Sequence, residues 1–283
     1  MNDLQKKQLE ILKAFINVCE KHNLRYFLVG GTCLGAARHK GFIPWDDDID
    51  VGMPREDYDK YLELQSEYEG TPYFIQTWKT DPHYCYNFAK LRDSSTTFIE
   101  SYFWKHRINH GVWIDIFPID GISLTNDKPR EKYAGKVKHI WAQVFLSYVP
   151  QLRRKFKKGT FWLDLLLNIS AILFWPWDIA HYRRKHSEKY MKKISYDKAV
   201  LVANFCGTNA KKEAMPKELF DEFVKLPFED IEANVPKDYD AYLTYLYRDW
   251  RKLPPENQQV GHHLDKGLSL TQDYKSYIKE HKI

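Results

Sequence analysis

The sequence predicts an α/β (α+β) fold, with a mixed-sheet core in the amino-terminal half and helical additions in the carboxy-terminal half. Three observations predict it. Helical periodicity and short β-rich apolar runs alternate as far as residue 123. A glycine pair, Gly30-Gly31, closes the first apolar run, and four carboxylates crowd the next, Asp46-Asp47-Asp48-Ile49-Asp50. Beyond Asp120-Gly121 the chain turns polar and basic (125–160), then strongly apolar (161–177), and then reads as helices. This divides the chain into residues 1–123 and residues 124–283.

Residues 4–22 place Leu4, Ile11, Leu12, Phe15, Ile16 and Cys19 at helical spacing, the pattern of an amphipathic helix. Tyr26-Phe27-Leu28-Val29 ends at Gly30-Gly31, which reads as a strand entering a tight turn. Thr32 to His39 forms the next short helix. Pro44-Trp45 opens a second strand that runs through Val51. Pro54 starts another helix, with Tyr58, Tyr61, Leu62 and Leu64 as its buried positions. Residues 74–78, 88–91 and 96–99 are strand candidates; 112–117, rich in β-branched and aromatic residues, is a better one. Helices are expected over 181–194, 216–225 and 238–252, with Pro254-Pro255 breaking the pattern. There is no internal repeat and no low-complexity tract.

With 283 residues, 43% hydrophobic and 29% charged, the chain can bury a real core as one elaborated domain or two small ones. The 16% aromatic share, with nine Trp and nineteen Tyr, fits binding of sugars, bases or a quaternary amine, and equally a Tyr-rich proteome. A net charge of +5 is too small to argue for a nucleic-acid partner. Cys19, Cys33, Cys85 and Cys206 lie far apart, so neither a disulfide framework nor a zinc ribbon is indicated and a reducing compartment is expected. The amino terminus runs into an amphipathic helix rather than an apolar signal core, which points to a cytoplasmic location.

Alternate side chains of a strand share a face. Asp46, Asp48 and Asp50 therefore point one way, and Asp47 and Ile49 the other. Three carboxylates on one face repel unless a cation sits among them. Oxygen-only ligands favour Mg²⁺ or Mn²⁺ over zinc. Asp115, an acid inside Trp113-Ile114-Asp115-Ile116-Phe117, would be costly unpaired and fits the role of a ligand from a second strand. The bland alternative is an exposed acidic turn or a calcium loop. Gly30-Gly31 weighs against it, because glycine lets backbone N–H groups approach a phosphate closely. A strand-Gly-Gly element followed by an Asp-x-Asp strand is the layout of the nucleotidyltransferase fold, whose acids bind two metal ions that clamp the attacking and leaving oxygens. The insert between glycines and acids carries Arg38, His39 and Lys40 and reads as a substrate loop. Arg38, Lys90 and Arg92 are candidates for neutralising a diphosphate. Lys90 and Arg92 share a face by period two; the alternative for both is a solvated edge strand. His39 either contacts phosphate or caps its loop. His262-His263 reads as a surface or substrate-loop pair.

The block from Gly30 to Val51 resembles the LicD family, named for bacterial phosphocholine transferases and related to the fukutin-related proteins. The likeness continues through Phe88-Ala89-Lys90-Leu91-Arg92-Asp93, Gly111-Val112-Trp113-Ile114-Asp115-Ile116-Phe117-Pro118 and Asp120-Gly121. It returns at Val235-Pro236-Lys237-Asp238-Tyr239-Asp240, Tyr242-Leu243 and Leu253-Pro254-Pro255-Glu256, and closes at His262-His263. Tyr247-Arg248-Asp249 departs from it, since members often carry Tyr-Gly-Asp there. The resemblance implies a nucleotidyltransferase-like catalytic core over residues 1–123 and an acceptor- and membrane-proximal region over 124–283. It implies transfer of a phosphoalcohol from a CDP-activated donor to a glycan hydroxyl, with CMP leaving and phosphocholine the leading cargo. Asp48 and Asp50 would bind two Mg²⁺ (or Mn²⁺) ions, Asp115 would complete one site and take the hydroxyl proton, and Asp46 would be a further ligand. Gly30, Gly31 and Thr32, with Arg38, His39, Lys90 and Arg92, would bind substrate. A choline donor would want an aromatic cage, for which Trp78, Tyr84, Tyr86, Tyr102, Phe103 and Trp104 offer rings. Rival readings are a CDP-ribitol or CDP-glycerol donor, a nucleotidyltransferase using an NTP, and a non-catalytic glycan- or membrane-binding protein.

Residues 161–177 are short for a membrane span and carry Asp164, Asn168 and Pro176. On a helix, Asp164, Asn168 and Ala171 form one narrow stripe. Arg153-Arg154-Lys155-Phe156-Lys157-Lys158 precedes the segment and Arg183-Arg184-Lys185 follows it. That layout suits a segment lying in the interface of an anionic bilayer, peripheral at the cytoplasmic membrane of a bacterium where a lipid-linked glycan acceptor would be met. The alternative is a buried core helix.

Overall fold

A seven-stranded mixed sheet forms the centre of the molecule, in a computed structural model. It describes residues 1–101, 103–104, 106–125, 135–136, 139–140, 161–162, 165–166, 169, 179–207, 213–261, 263 and 265–283. The strands are β1 (Phe27–Leu28), β2 (Asp50–Pro54), β3 (Tyr73–Gln76), β4 (Ala89–Asp93), β5 (Thr97–Glu100), β6 (Val112–Ser123), β7 (Leu201–Asn204), β8 (Met215–Pro216), β9 (Phe223–Phe228), β10 (Ile231–Pro236) and β11 (Asp265–Ser269). The sheet order is β1-β2-β6-β4-β3. β2 and β6 are parallel, with Asp50 opposite Asp115. β4 lies antiparallel on the other side of β6, with Lys90 opposite Asp115. The far half of β6 pairs with β7, and β7 with β8. β9–β10 and β5–β11 form separate two-stranded ladders.

The α-helices whose bounds are described are α1 (Asp3–Lys21), α2 (Gly30–His39), α3 (Arg55–Tyr61), α4 (Ile179–Met191), α5 (Tyr239–Tyr247) and α6 (Tyr274–His281). Asn2 and Gln5 close a reciprocal capping box at the start of α1. The predicted apolar stripe of α1 is the one that packs: Ile11, Leu12, Phe15 and Cys19 are all fully buried. Phe15 meets Tyr26 and Tyr61 edge-on, with ring centroids 5.5 and 5.0 Å apart.

The α/β class expected from the sequence is the class observed, but several elements differ. The second strand was expected over residues 44–51; β2 begins only at Asp50. The carbonyls of Asp46 and Asp47 bond instead to α1 side chains: Gln5 Nε2 donates to the first (2.9 Å) and Gln8 Nε2 to the second (2.8 Å). The helix expected over 216–225 is a short 3₁₀ turn, Lys217–Phe220, followed by β9. β9 and β10 form a hairpin around Glu229, which takes a positive φ of 58°. β7, β8 and β11 also lie in the half expected to be helical. They are short, and β7 and β11 complete ladders with β6 and β5, so their burial depends on partners about 80 and about 170 residues away in the chain. The helix expected over 238–252 stops at Tyr247, because Arg248 turns left-handed (φ 60°, ψ −107°). That conformation is the one glycine adopts most cheaply.

Lys90 and Arg92 do not lie on a solvated edge. β4 is interior to the sheet, and the two side chains are 1% and 0% exposed. No helix among the described residues is long and apolar enough to cross a membrane. Asp164, Asn168, Ala171 and Pro176 lie outside the described residues, as do Tyr102 and His262.

Two predictions follow from this frame. Arg55 grips Asp120 through two buried 2.7 Å hydrogen bonds. Asp120→Ala strands the guanidinium and should cost about 3–5 kcal/mol in urea unfolding. Arg248→Gly relieves the left-handed residue and should raise stability by about 0.5–1 kcal/mol in the same assay.

Candidate active site

The site is built where the parallel ladder begins. Asp48, Asp50 and Asp115 each present a carboxylate oxygen, and the three atoms lie within 4.8 Å of one another. The loop before β2 delivers Asp48, the first residue of β2 delivers Asp50, and β6 delivers Asp115. The backbone locks this junction: Asp115 N–H donates to the Ile49 carbonyl (2.8 Å) and Val29 N–H to the Asp50 carbonyl (3.1 Å). Thr32 Oγ1 accepts from Asp50 N–H at 2.8 Å, so Thr32 positions an acid of the cluster.

Gly30 and Gly31 lie directly against these acids. A Cβ on Gly30 would meet Asp50 Oδ2 at 3.2 Å, and one on Gly31 would meet Asp46 Oδ2 at 2.9 Å. Gly30 also takes a φ of +55°, which turns β1 straight into α2. The helix N-terminus therefore faces the carboxylates and supplies partial positive charge. Tyr242 on α5 fixes this start, its hydroxyl accepting the Gly30 N–H at 2.9 Å.

Asp46 stands beside the triad rather than within it. Asp47 does not stand apart as strand alternation expected, because the residues before Asp50 are not in a strand. Its carboxylate accepts from the His263 backbone N–H (2.9 Å) and contacts His263 Nδ1 (3.0 Å). Asp47, Asp48 and His263 form a second set of ligand atoms within the same 4.8 Å limit, so Asp48 is common to both sets.

Electrostatically the cluster is frustrated. Burial raises the Asp46 carboxyl to about 6. Burial and then the charge of Asp46 raise Asp48 to about 8. Burial, with the charges of Asp48 and Asp115, pushes Asp50 well above the carboxylate range. Burial opposes protonation of His263, but Asp47 and Asp48 prevail and hold it at about 8.

Lys90 supplies a built-in counter-charge. Its ammonium lies 3.0 Å from Asp115 Oδ1, 3.7 Å from Glu100 Oε2, and 3.9 Å from the Trp113 ring centroid. Burial alone would raise Glu100, yet Lys90 and Arg92 hold it below its ordinary value. Arg92 is committed one layer further in, donating to Gln76 Oε1 (2.6 Å), the Gly111 carbonyl (2.6 Å) and Glu100 (3.3 Å). Arg38 donates to the Trp250 and Lys252 carbonyls at 2.8 and 3.2 Å, tying α2 to the chain beyond α5. His39 meets Trp45 edge-on. Three of the rings considered for a choline cage pack together, with Phe88 beside them: Tyr86 meets Tyr84 at 5.7 Å, Phe103 at 5.4 Å and Phe88 at 4.7 Å.

Sequence reasoning missed Gln5, Gln8, Tyr242, the Asp47–His263 contact and Glu100. Gln5 and Gln8 sat in view as amides on the buried face of an amphipathic helix, at 2% and 0% exposure. The others meet the site only through the fold.

The donors suit a divalent cation. Carboxylate oxygens are hard ligands, and Asp48, Asp50 and Asp115 bring three of them within 4.8 Å of one another while Lys90 offers only one positive charge. Residues 23–142 match the family described as LicD/FKTN/FKRP, nucleotidyltransferase domain. The chain is 32% identical over 265 residues to the lipopolysaccharide cholinephosphotransferase LicD of Haemophilus influenzae, spanning 93% of this chain and 95% of that one. It is 29% identical over 111 residues to the human ribitol 5-phosphate transferase FKRP, spanning 38% of this chain and 22% of that one. Fold, acids and relatives together define a phosphotransferase. The chain belongs to the LicD family.

The cluster's energetics can be tested without substrate. The folded protein holds Asp46, Asp48 and His263 above their unfolded values, so it binds more protons than the unfolded chain between about pH 4 and pH 8. Their contribution to stability therefore falls as pH rises through that window. In chelator, Asp48→Asn should be about 1–3 kcal/mol more stable than wild type at alkaline pH, with the gap closing toward pH 5. Added Mg²⁺ or Mn²⁺ should stabilise wild type and leave the variant unmoved. Thermal unfolding at each pH reads both effects.

Proposed function

We propose that this chain transfers phosphocholine from CDP-choline to a hydroxyl of a cell-surface glycan (a teichoic acid, lipopolysaccharide or capsule precursor), releasing CMP. The observation that carries the reading is the Asp48–Asp50–Asp115 triad set against the α2 N-terminus, in a chain aligned with a cholinephosphotransferase over nearly its whole length.

In this reading Asp48 and Asp50 hold two Mg²⁺ (or Mn²⁺) ions, Asp115 completes one site, and Asp46 supports Asp48. The second set through Asp47 and His263 supports a pair of ions that share Asp48. Bound divalent cations would supply charge stabilisation at the transferring phosphoryl group. The N-terminus of α2, at Gly30, Gly31 and Thr32, faces the donor diphosphate and adds positive potential there. Lys90 contributes positive charge from beneath the triad, and Arg38 and His39 lie in the last turn of α2 rather than in a separate loop.

The acceptor oxygen attacks the phosphorus that bears the choline. A new oxygen–phosphorus bond forms, and the bond from that phosphorus to the bridging oxygen breaks. CMP departs with the bridging oxygen. The hydroxyl proton passes to a carboxylate, for which Asp115 is assigned. No covalent enzyme intermediate is required. The core over residues 1–123 carries the chemistry, and residues 124–283 meet a lipid-linked acceptor at the cytoplasmic face of the membrane.

A second reading keeps the site and changes the cargo to ribitol phosphate or glycerol phosphate from a CDP-alditol. The match to a ribitol 5-phosphate transferase favours it over unrelated donors.

A panel of CDP-alcohols assayed for CMP release separates these readings. Metal-dependent CMP release is expected with CDP-choline and a glycan acceptor, and Asp50→Asn should lower it roughly 100-fold or more while the chain stays folded. Turnover of a CDP-alditol alone would select the second reading. Pyrophosphate release from an NTP would instead indicate a nucleotidyltransferase. Tight metal binding without turnover of any CDP donor would indicate a binding protein.

A further inference from the structure

Large apolar side chains are gathered on one exposed face of the 161–169 segment, where no catalytic role reaches. Trp162 is 78% exposed, Leu166 64%, Phe161 48% and Ile169 45%. Residues 161, 162, 165, 166 and 169 are helical. At helical spacing, Trp162, Leu166 and Ile169 fall on one face, with Phe161 and Leu165 beside them. A soluble surface seldom leaves so many large apolar groups together. Tyr182, at the start of α4, is 71% exposed and adds another interfacial aromatic.

Ile140 is 2% exposed and packs with Ile122, Met191, Leu201, Ala203 and Phe205. Arg184, within the basic run that follows the segment, is turned inward and donates to the Tyr84 and Pro82 carbonyls. Positive charge that could face a partner therefore comes mainly from the preceding sequence. Residues 128–158 contain ten Lys or Arg and one Glu. The whole chain carries only +5, so the remainder of the molecule is net negative. Along the sequence the cations are concentrated just before the apolar segment, and the acids elsewhere.

We infer that this face is a docking surface for an anionic lipid bilayer, with the aromatic and aliphatic side chains entering the headgroup boundary and the preceding cations meeting acidic headgroups. Exposed apolar groups alone would suit a neutral surface or a second copy of the chain. The adjoining positive charge selects the anionic bilayer, because a second copy would bring a second set of like charges to the contact. The segment is too short to span, so it lies in the interface. The inference extends the membrane-face location proposed above. Its readout is lipid binding, so it fails or stands separately from the donor chemistry.

The test is sedimentation of the full chain with vesicles of equal parts phosphatidylcholine and phosphatidylglycerol, and with phosphatidylcholine alone. Wild type should pellet with the anionic vesicles, weakly with the neutral ones, and less at high salt. Leu166→Asp with Ile169→Asp should weaken binding on the order of a hundredfold. Both side chains are exposed, so the unfolding temperature and CMP release with a soluble acceptor should be unchanged. Arg153→Glu with Arg154→Glu should abolish the preference for anionic vesicles while keeping the apolar face. Equal binding by wild type and the Leu166/Ile169 variant would overturn the proposal, as would equal binding of wild type to both vesicle types. A dimer that the Leu166/Ile169 variant converts to monomer on size exclusion, with no vesicle binding by wild type, would assign the face to a second copy instead.

Discussion

Asp50, Asp115 and Lys90 stand in one row across three adjacent strands, and the rest of the site depends on that row. β2 runs parallel to β6 and sets one acid opposite another. β4 runs antiparallel on the other flank and sets an ammonium opposite the same Asp115. The ladder cannot be relaxed to separate the acids without shifting the register of the central strand. Repulsion between buried carboxylates is thus imposed by backbone pairing, and only charge can relieve it. Lys90 supplies one positive charge, the α2 N-terminus a partial one, and a divalent cation suits the remainder.

The surrounding polar groups serve this constraint. Gln5 and Gln8 hold the carbonyls of the acidic loop, Thr32 holds the backbone of Asp50, and Tyr242 holds the turn into α2. Glycine stands at positions 30 and 31 because carboxylate oxygens occupy the space a side chain would need. Behind Lys90, Glu100 and Arg92 continue an alternation of charge into the core, with Trp113 beneath both cations. A buried lysine of this kind needs such a frame, since an uncompensated charge there would be strongly destabilising. The cluster thereby gives up local stability for binding potential, a common arrangement where function needs crowded charge.

Much of this was legible in the chain. The amphipathic face of α1, the strand before Gly30, and the pairing of Asp48 and Asp50 with Asp115 all followed from periodicity and from the cost of an acid in an apolar run. Strand alternation set Asp47 apart from Asp48, but the loop that carries them is not a strand, and the two acids join His263 in one set of ligand atoms. The reading of Lys90 and Arg92 as one face was sound, but period two says nothing about which side of a sheet is dry. Their burial follows from β4 lying between β3 and β6. The carboxy-terminal strands were hidden for a related reason. Short segments such as 201–204 carry weak local preference, and they become strands because the far end of β6 offers an open edge.

By itself the sequence determined the inventory: which residues can bind a cation, which turn must be glycine, which helix face is apolar, and where basic and apolar segments adjoin. These are local properties, set by side-chain chemistry and by the periods of helix and strand. Only the tertiary structure decided which groups meet. It joined Asp47 to His263, Gly30 to Tyr242 and Gln5 to the acidic loop across separations of 216, 212 and 41 residues. Such contacts arise when distant segments share one core, and no local period in the chain encodes the distance between them.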